Sequence, residues 1–237
     1  MAVLDILGDG SCKALWEFDG SFNDKSGAYG GTPTNVGFTE GVHGQAALFK
    51  SSSNYVSTTL KTSDFGNTYS IACWFRRDSN NTRDCICGET GGTADSYGAY
   101  INHVPDSNEL QCGHYRASLG NFDVVSVSTT VGAWTHLVFA RQNGSFHRVY
   151  INGVRKGSVA CSNVTASSSY SMRIGCDYYS TANRSFDGAI DTFRVFNKAL
   201  TDEEVMAVYE ERPPQRNVLP TPIILSAMPA ALTRGFR

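Results

Sequence analysis

The sequence predicts an all-β protein built as a two-sheet antiparallel sandwich, and three observations carry that prediction. Strand-favouring Val, Ile, Phe and Tyr are spread along the chain in short runs, while helix-period segments are scarce. Turn-forming residues separate the runs, with 23 glycines and abundant Ser, Thr and Asn. At 237 residues, 41% hydrophobic and 18% charged, the chain is long and apolar enough to bury a sizeable core.

The predicted strands follow in order. Ala14–Phe18, Ala46–Phe49, Tyr55–Thr59 and Tyr69–Arg76 come first, then Cys85–Cys87, Gly98–His103, Glu109–Tyr115 and Val124–Ser128. Trp134–Arg141 and Phe146–Ile151 flank Asn143-Gly144, a strong hairpin signal, and Asn152-Gly153 turns the chain into Val154–Val159. Ser171–Cys176 and Ala189–Phe196 complete the set. One short helix is predicted after Leu200. Thr201-x-x-Glu204 has the form of a capping box, and Val205, Val208 and Tyr209 make an apolar stripe that must dock on the sandwich. The alternation of GAIDTFRVF places Asp191 on the same strand face as Phe193 and Val195.

Three parts are expected: an N-terminal arm over 1–13, the strand-rich domain over 14–211, and a C-terminal arm over 212–237. The last, RPPQRNVLPTPIILSAMPAALTRGFR, has prolines at 213, 214, 220, 222 and 229, which forbid a continuous helix or central strand. Its arginines 212, 216, 234 and 237, with no acid, give a local charge of +4 beside the apolar Ile223-Ile224-Leu225. The default for such a terminus is a floppy tail; the expectation for a basic arm with an apolar cluster is docking on neighbouring subunits, with docking on its own domain as the alternative. Arg212, Arg216, Ile223, Ile224, Leu225, Arg234 and Arg237 are the expected contacts, and a homo-oligomer the expected state.

Composition excludes some partners. A formal net charge of −2 offers no footprint for nucleic acid, and no apolar run is long enough to span a membrane as a helix. The opening MAVLDILGDGS lacks a basic n-region and carries Asp5 in its apolar run, so the expectation is synthesis in a cytoplasm without general export. Seven cysteines without a CxxC read as small buried hydrophobes with free thiols.

The segments LWEFDGSFNDKSG, GVHGQAALF, YSIACWFR, GAWTHLVFARQNGSFHRVYINGVRKG and FDGAIDTFRVFNKALTDEEV, taken in that order, resemble the concanavalin A-like jelly-roll domain of the laminin G type over about 14–211. The resemblance implies a jelly-roll sandwich. It does not choose a function, because this fold hosts lectins, glucanases, adhesion modules and structural proteins. The first twenty or so residues and the overall layout are also similar to jelly-roll proteins of tailed bacteriophages of aquatic hosts. That second resemblance implies a virion protein, a head-surface decoration or fibre-associated adhesin, made in the host cytoplasm. The alternative is a carbohydrate-binding module of a bacterial adhesin or glycan-degrading enzyme.

Catalysis is not expected. The fold's glucan hydrolases space carboxylates as E-x-D-x-E, and no such run occurs; nor do HExxH, G-x-S-x-G or a P-loop. The acidic run Asp202-Glu203-Glu204 is explained by helix capping. His136 reads as a packed strand residue, whereas His103 and His114 are candidates to face a ligand. Calcium enters through the laminin G resemblance: the oxygen-rich loop Asp19–Gly27 and the strand aspartate imply Ca²⁺ held by Asp24 and Asp191 with backbone carbonyls. The alternative is that Asp191 accepts backbone N–H bonds and Asp24 caps a turn. For glycan binding, Tyr178, Tyr179 and Arg184 in one loop are the candidates, with Tyr97, Tyr100 and Tyr115 as further aromatics.

Overall fold

The computed structural model describes residues 2–50, 53–80, 84–89, 97–116, 121–165, 170–177 and 184–211. In chain order the elements are β1 Cys12–Trp16, β2 Gly31–Thr34, β3 Gly37–Glu40, β4 Gln45–Phe49, β5 Tyr55–Thr58, α1 Thr62–Phe65, β6 Tyr69–Arg77, β7 Cys85–Gly88 and β8 Tyr97–His103. Then come β9 Glu109–Arg116, β10 Asn121–Ser128, β11 Thr135–Gln142, β12 Phe146–Ile151, β13 Val154–Ala160, β14 Arg173–Ile174, β15 Gly188–Phe196 and α2 Asp202–Tyr209. The C-terminal segment expected to act as an arm lies outside the described residues.

The strands form the expected sandwich of two antiparallel sheets. One has eight strands in the order β13-β12-β11-β6-β15-β4-β3, with β1 also on β15; the other has seven, β10-β9-β8-β7-β14-β5-β2. Alternation sends one side chain of each pair inward. Trp16, Phe49, Ile71, Phe75, Leu137, Phe139, Ile190, Phe193 and Val195 meet Val56, Ile86, Ala99, Ile101, Leu110, Cys112 and Ile174 in one core. All seven cysteines are buried and unpaired, and burial pushes the Cys12 thiol up to about 12, so these thiols pack rather than react.

Local chemistry explains the turns. Asn152 and Gly153 both have positive φ (49° and 77°), the signature of the type I′ turn that Asn-Gly predicts. Gly153 is required twice over, since a Cβ there would meet Met206 Sδ at 2.4 Å where α2 crosses the turn. The helix is capped as expected: Thr201 Oγ1 accepts from Glu204 N (3.3 Å), and Glu204 Oε2 accepts from Thr201 N (3.0 Å).

Two strands were not foreseen. The first is β2, which holds Pro33 and is a sheet edge, where a proline is tolerated. Its partner in the chain, β3, is likewise an edge. A second correction concerns β15. Its pairing with β6 shifts register between Asp191 and Arg194, and Thr192 has φ 50°. This bulge reverses the alternation, so Ile190, Phe193 and Val195 point into the core while Asp191 points outward opposite Trp74. Asp191 therefore does not share a face with Phe193 and Val195.

The outer side of the eight-stranded sheet is covered by the chain itself. Val205, Ala207 and Val208 of α2 pack with Ile6, Leu7, Val138, Ala140, Tyr150 and Phe196 in a second apolar cluster. The segment read as an N-terminal arm is thus laid on its own sandwich. Tyr209 extends the covering, 5.5 Å from the rings of both Trp74 and His136.

Candidate functional site

The outer side of the seven-stranded sheet is different. Register fixes a row across it: Val124, Gly113, Tyr100, Gly88, Arg173, Ser57 and Thr32 are successive cross-strand neighbours. Their chain neighbours Cys112, Ile101, Cys87, Ile174 and Val56 point into the core, so this row points out. A parallel row carries Ser126, Gln111, Asn102 and Cys85.

Three charged side chains are built onto this face. Past β14, Gly175 (φ 83°) turns the chain so that Asp177 lies over Gly88, where a Cβ would come within 3.0 Å of Asp177 Cβ. Asp177 is fully buried, and Arg184 Nη1 donates to its Oδ2 at 2.9 Å. Burial opposes the Arg184 charge, but Asp177 outweighs it and holds the guanidinium above its usual pKa. Arg173 lies 4.2 Å over the Tyr55 ring and donates to the Asp177 carbonyl at 3.4 Å. Tyr55, Arg173 and Arg184 are partly exposed, whereas Asp177 and Tyr100 are buried. The result is a strip with a stacked Arg–Tyr platform at one end and an oriented ion pair beside it. It can stack a flat ligand face and donate several fixed N–H groups.

Of the residues singled out for glycan binding, Arg184 is part of this strip. Tyr178 and Tyr179 lie outside the described residues, as do Arg212, Arg216, Ile223, Ile224, Leu225, Arg234 and Arg237. Tyr55, Arg173 and Asp177 were not foreseen. The available signals were strand parity for Tyr55 and Arg173, and opposite charges closing the segment 177–184 at either end. His103 and His114 face inward instead of toward a ligand: His103 lies against Phe75 and Phe186, and His114 Nδ1 is 3.2 Å from Tyr69 Oη. Burial lowers the pKa of His103 to about 3, so it is neutral.

The two carboxylates expected to share calcium each accept several hydrogen bonds. Asp24 Oδ1 accepts from Leu15 N (2.8 Å) and Ser26 N (3.1 Å), and its Oδ2 from Ser26 Oγ and Tyr29 N (3.1 Å). Asp191 Oδ2 accepts from Val42 N (2.8 Å) and His43 N (2.9 Å), and its Oδ1 from Thr192 Oγ1 (2.7 Å). These donors take all four lone-pair sites of Asp24 and three of the four of Asp191, so both side chains act as anchors for backbone N–H and hydroxyl groups. Asp24 ties β1 to the turn that follows it, and Asp191 ties the β3–β4 hairpin to β15. The other buried carboxylates are also engaged: Arg77 Nε donates to Asp84 at 2.8 Å, and Thr62 Oγ1 to Glu89 at 2.7 Å.

Residues 50–206 match the family model of the concanavalin A-like lectin/glucanases superfamily, in its laminin G branch. No curated protein matches the sequence. Among solved structures, domain 4 of AbnA, a GH43 extracellular arabinanase from Geobacillus stearothermophilus in complex with arabinotriose, superposes with a TM-score of 0.68 at 22% identity, covering 84% of this chain and 98% of that one. The binding domain of Paraclostridial Mosquitocidal Protein 1 gives 0.65 at 16% identity, covering 83% of this chain and 51% of that one. The binding domain of Botulinum Neurotoxin DC in complex with SialylT gives 0.63 at 16%, covering 84% and 51%. The chain thus spans about half the length of these toxin domains, and at such identities the likeness is one of fold.

Proposed function

The chain belongs to the concanavalin A-like lectin/glucanases superfamily, and from that premise we propose that it is a non-enzymatic binding protein whose ligand is a carbohydrate, held on the outer face of the seven-stranded sheet. The observation that carries this reading is the strip Tyr55–Arg173–Asp177–Arg184. A sugar offers a flat C–H face to an aromatic or guanidinium plane, and hydroxyls that accept from fixed N–H donors. The arabinanase domain bound to arabinotriose and the toxin domain bound to SialylT support the class of ligand, not its identity. Tyr178 and Tyr179, between Asp177 and Arg184 in sequence, belong to the proposal as stacking residues. The test is a broad glycan array with the full chain, followed by titration of the best hit. Tyr55→Ala, Arg173→Ala and Tyr179→Ala are each expected to weaken binding at least tenfold. An array without hits, or binding indifferent to all three changes, overturns the reading.

A second observation bears on how the strip is used. Arg194, on the outer side of the eight-stranded sheet, donates to the Val3 carbonyl (3.3 Å) and, through both terminal nitrogens, to Glu211. Val3 and Glu211 are therefore both held on the side away from the strip. This supports a tethered protein that points its strip outward, as a bacteriophage head decoration or fibre-associated adhesin would, with Arg212, Arg216, Ile223, Ile224, Leu225, Arg234 and Arg237 contacting other subunits. Deleting 212–237 should abolish incorporation into particles and leave the sandwich folded. Normal incorporation would favour a binding module of an adhesin or glycan-degrading enzyme.

A further inference from the structure

We infer that an open cleft of about 730 Å³, at the corner where β9, β10 and β13 meet, is a second ligand site for an uncharged, hydroxyl-rich molecule such as a short oligosaccharide. It is lined by Ser107, Asn108, Glu109, Ser126, Val127, Ser128 and Lys156, all distinct from the strip. The corner closes because Gly157 has no side chain: a Cβ there would meet Val125 Cγ2 at 2.5 Å, so β13 comes directly against β10.

The rim of this cleft is fixed from beneath by buried groups. Arg77, 1% exposed, donates from Nη1 to the Ser107 carbonyl at 2.9 Å while its Nε holds Asp84. The Asn108 carbonyl accepts from both Thr129 N (2.8 Å) and Thr129 Oγ1 (3.3 Å), and Thr129 Oγ1 is in turn 3.1 Å from His103 Nε2. Ser107 Oγ accepts from Glu109 N at 3.0 Å. A buried ion pair is costly to place, and here it sets the position of a loop whose side chains face solvent.

The lining chooses the ligand. Glu109 is ionised, because Ser126 and Gln111 donate to its carboxylate and lower its pKa. Lys156 is exposed on β13. A carboxylate acceptor, an ammonium donor and three serine hydroxyls around one opening match vicinal hydroxyls, each of which donates once and accepts. The two charges cancel, so the cleft does not select an ionic ligand, and Val127 is too small a wall for an aromatic one.

The experiment is a titration of the isotope-labelled full chain with the neutral trisaccharides arabinotriose and maltotriose, followed by backbone amide shifts. Saturable shifts at 107–109 and 126–128 are expected. Glu109→Gln and Lys156→Ala should each weaken that site at least tenfold while leaving shifts around Tyr55 and Arg173 unchanged. No shift at the cleft amides, or shifts that both variants leave intact, overturns the inference. Shifts at the cleft without shifts at the strip would instead overturn the strip as the sugar site, so the two readings fail separately.

Discussion

The two outer faces of the sandwich follow the same strand alternation and reach opposite ends. On the eight-stranded sheet, outward positions such as Val138, Ala140 and Phe196 are apolar, and α2 and residues 2–11 seal them. On the seven-stranded sheet, outward positions such as Arg173, Ser57, Gln111 and Ser126 are polar, and Asp177 and Arg184 add a charged pair. Both faces contain an arginine–carboxylate pair with one member buried, but these serve different ends. Arg194 and Glu211 close a covering over an apolar face, whereas Arg184 and Asp177 aim polar groups at solvent. The difference is one of cover: one outer face is sealed by the chain itself and the other keeps polar side chains at its surface.

The covered face should break hardest. Glu211→Ala leaves Arg194, 1% exposed, without its carboxylate, and about 3 kcal/mol of stability should be lost in chemical denaturation. Replacing both residues by Met should recover most of that loss, because no unpaired charge is then buried. On the polar face, Arg184→Ala removes the guanidinium that pairs with the buried Asp177. Arg184 is 21% exposed, so water can reach the pair, and the expected loss is about 2 kcal/mol. Here the decisive readout is ligand affinity, which should fall in Arg184→Ala and stay unchanged in Glu211→Ala. Equal effects of the two variants on binding would erase the distinction between the faces.

How much of this was legible depended on how local the cause was. The Asn152-Gly153 turn and the Thr201–Glu204 cap are set by neighbouring residues, and both stand where the sequence predicts them. Strand parity also read well wherever alternation is unbroken. It failed at Asp191, because a one-residue bulge at Thr192 inverts the faces of β15 and nothing in GAIDTFRVF announces it. For His103 and His114 parity held, since they continue the inward series Ala99–Ile101 and Leu110–Cys112; what misled was their position near strand ends. Arg184 was visible as a loop cation. Its meaning was not, since Asp177 acquires its place over Gly88 only when β14 pairs with β7.

A smaller effect separates the sheets by pH. Glu89, just after β7, is fully buried, and burial pushes its pKa up to about 8. The folded state then holds a proton that the unfolded chain releases near its ordinary value of about 4.3. This contribution is full below that value and is lost as pH rises toward 8. His136, beneath α2 on the other sheet, has its pKa lowered by burial to about 3. Its neutral form is stabilising above about 6.5, and that stability is lost as pH falls. Glu89→Gln should therefore gain on the parent protein as pH rises from 5 to 8.5, measured as the difference in Tm. A difference independent of pH would show that Glu89 titrates normally and that its burial is incomplete.

The smallest expected effect is that of calcium, and it tests the two carboxylates that the faces do not share. Asp191 holds the N–H groups of Val42 and His43, and Asp24 those of Leu15, Ser26 and Tyr29. A cation at either residue would have to displace donors that are themselves partly buried and would then lack partners. Millimolar Ca²⁺ should accordingly leave the Tm of the full chain unchanged relative to EDTA. Asp191→Asn should lower Tm by the same amount with and without the ion, because what it weakens is the grip on the β3–β4 hairpin. A Tm that rises with Ca²⁺ and loses that rise in Asp191→Asn would mean the hairpin opens to admit a metal. The eight-stranded sheet would then carry a ligand of its own, and the contrast between a sealed face and a binding face would no longer hold.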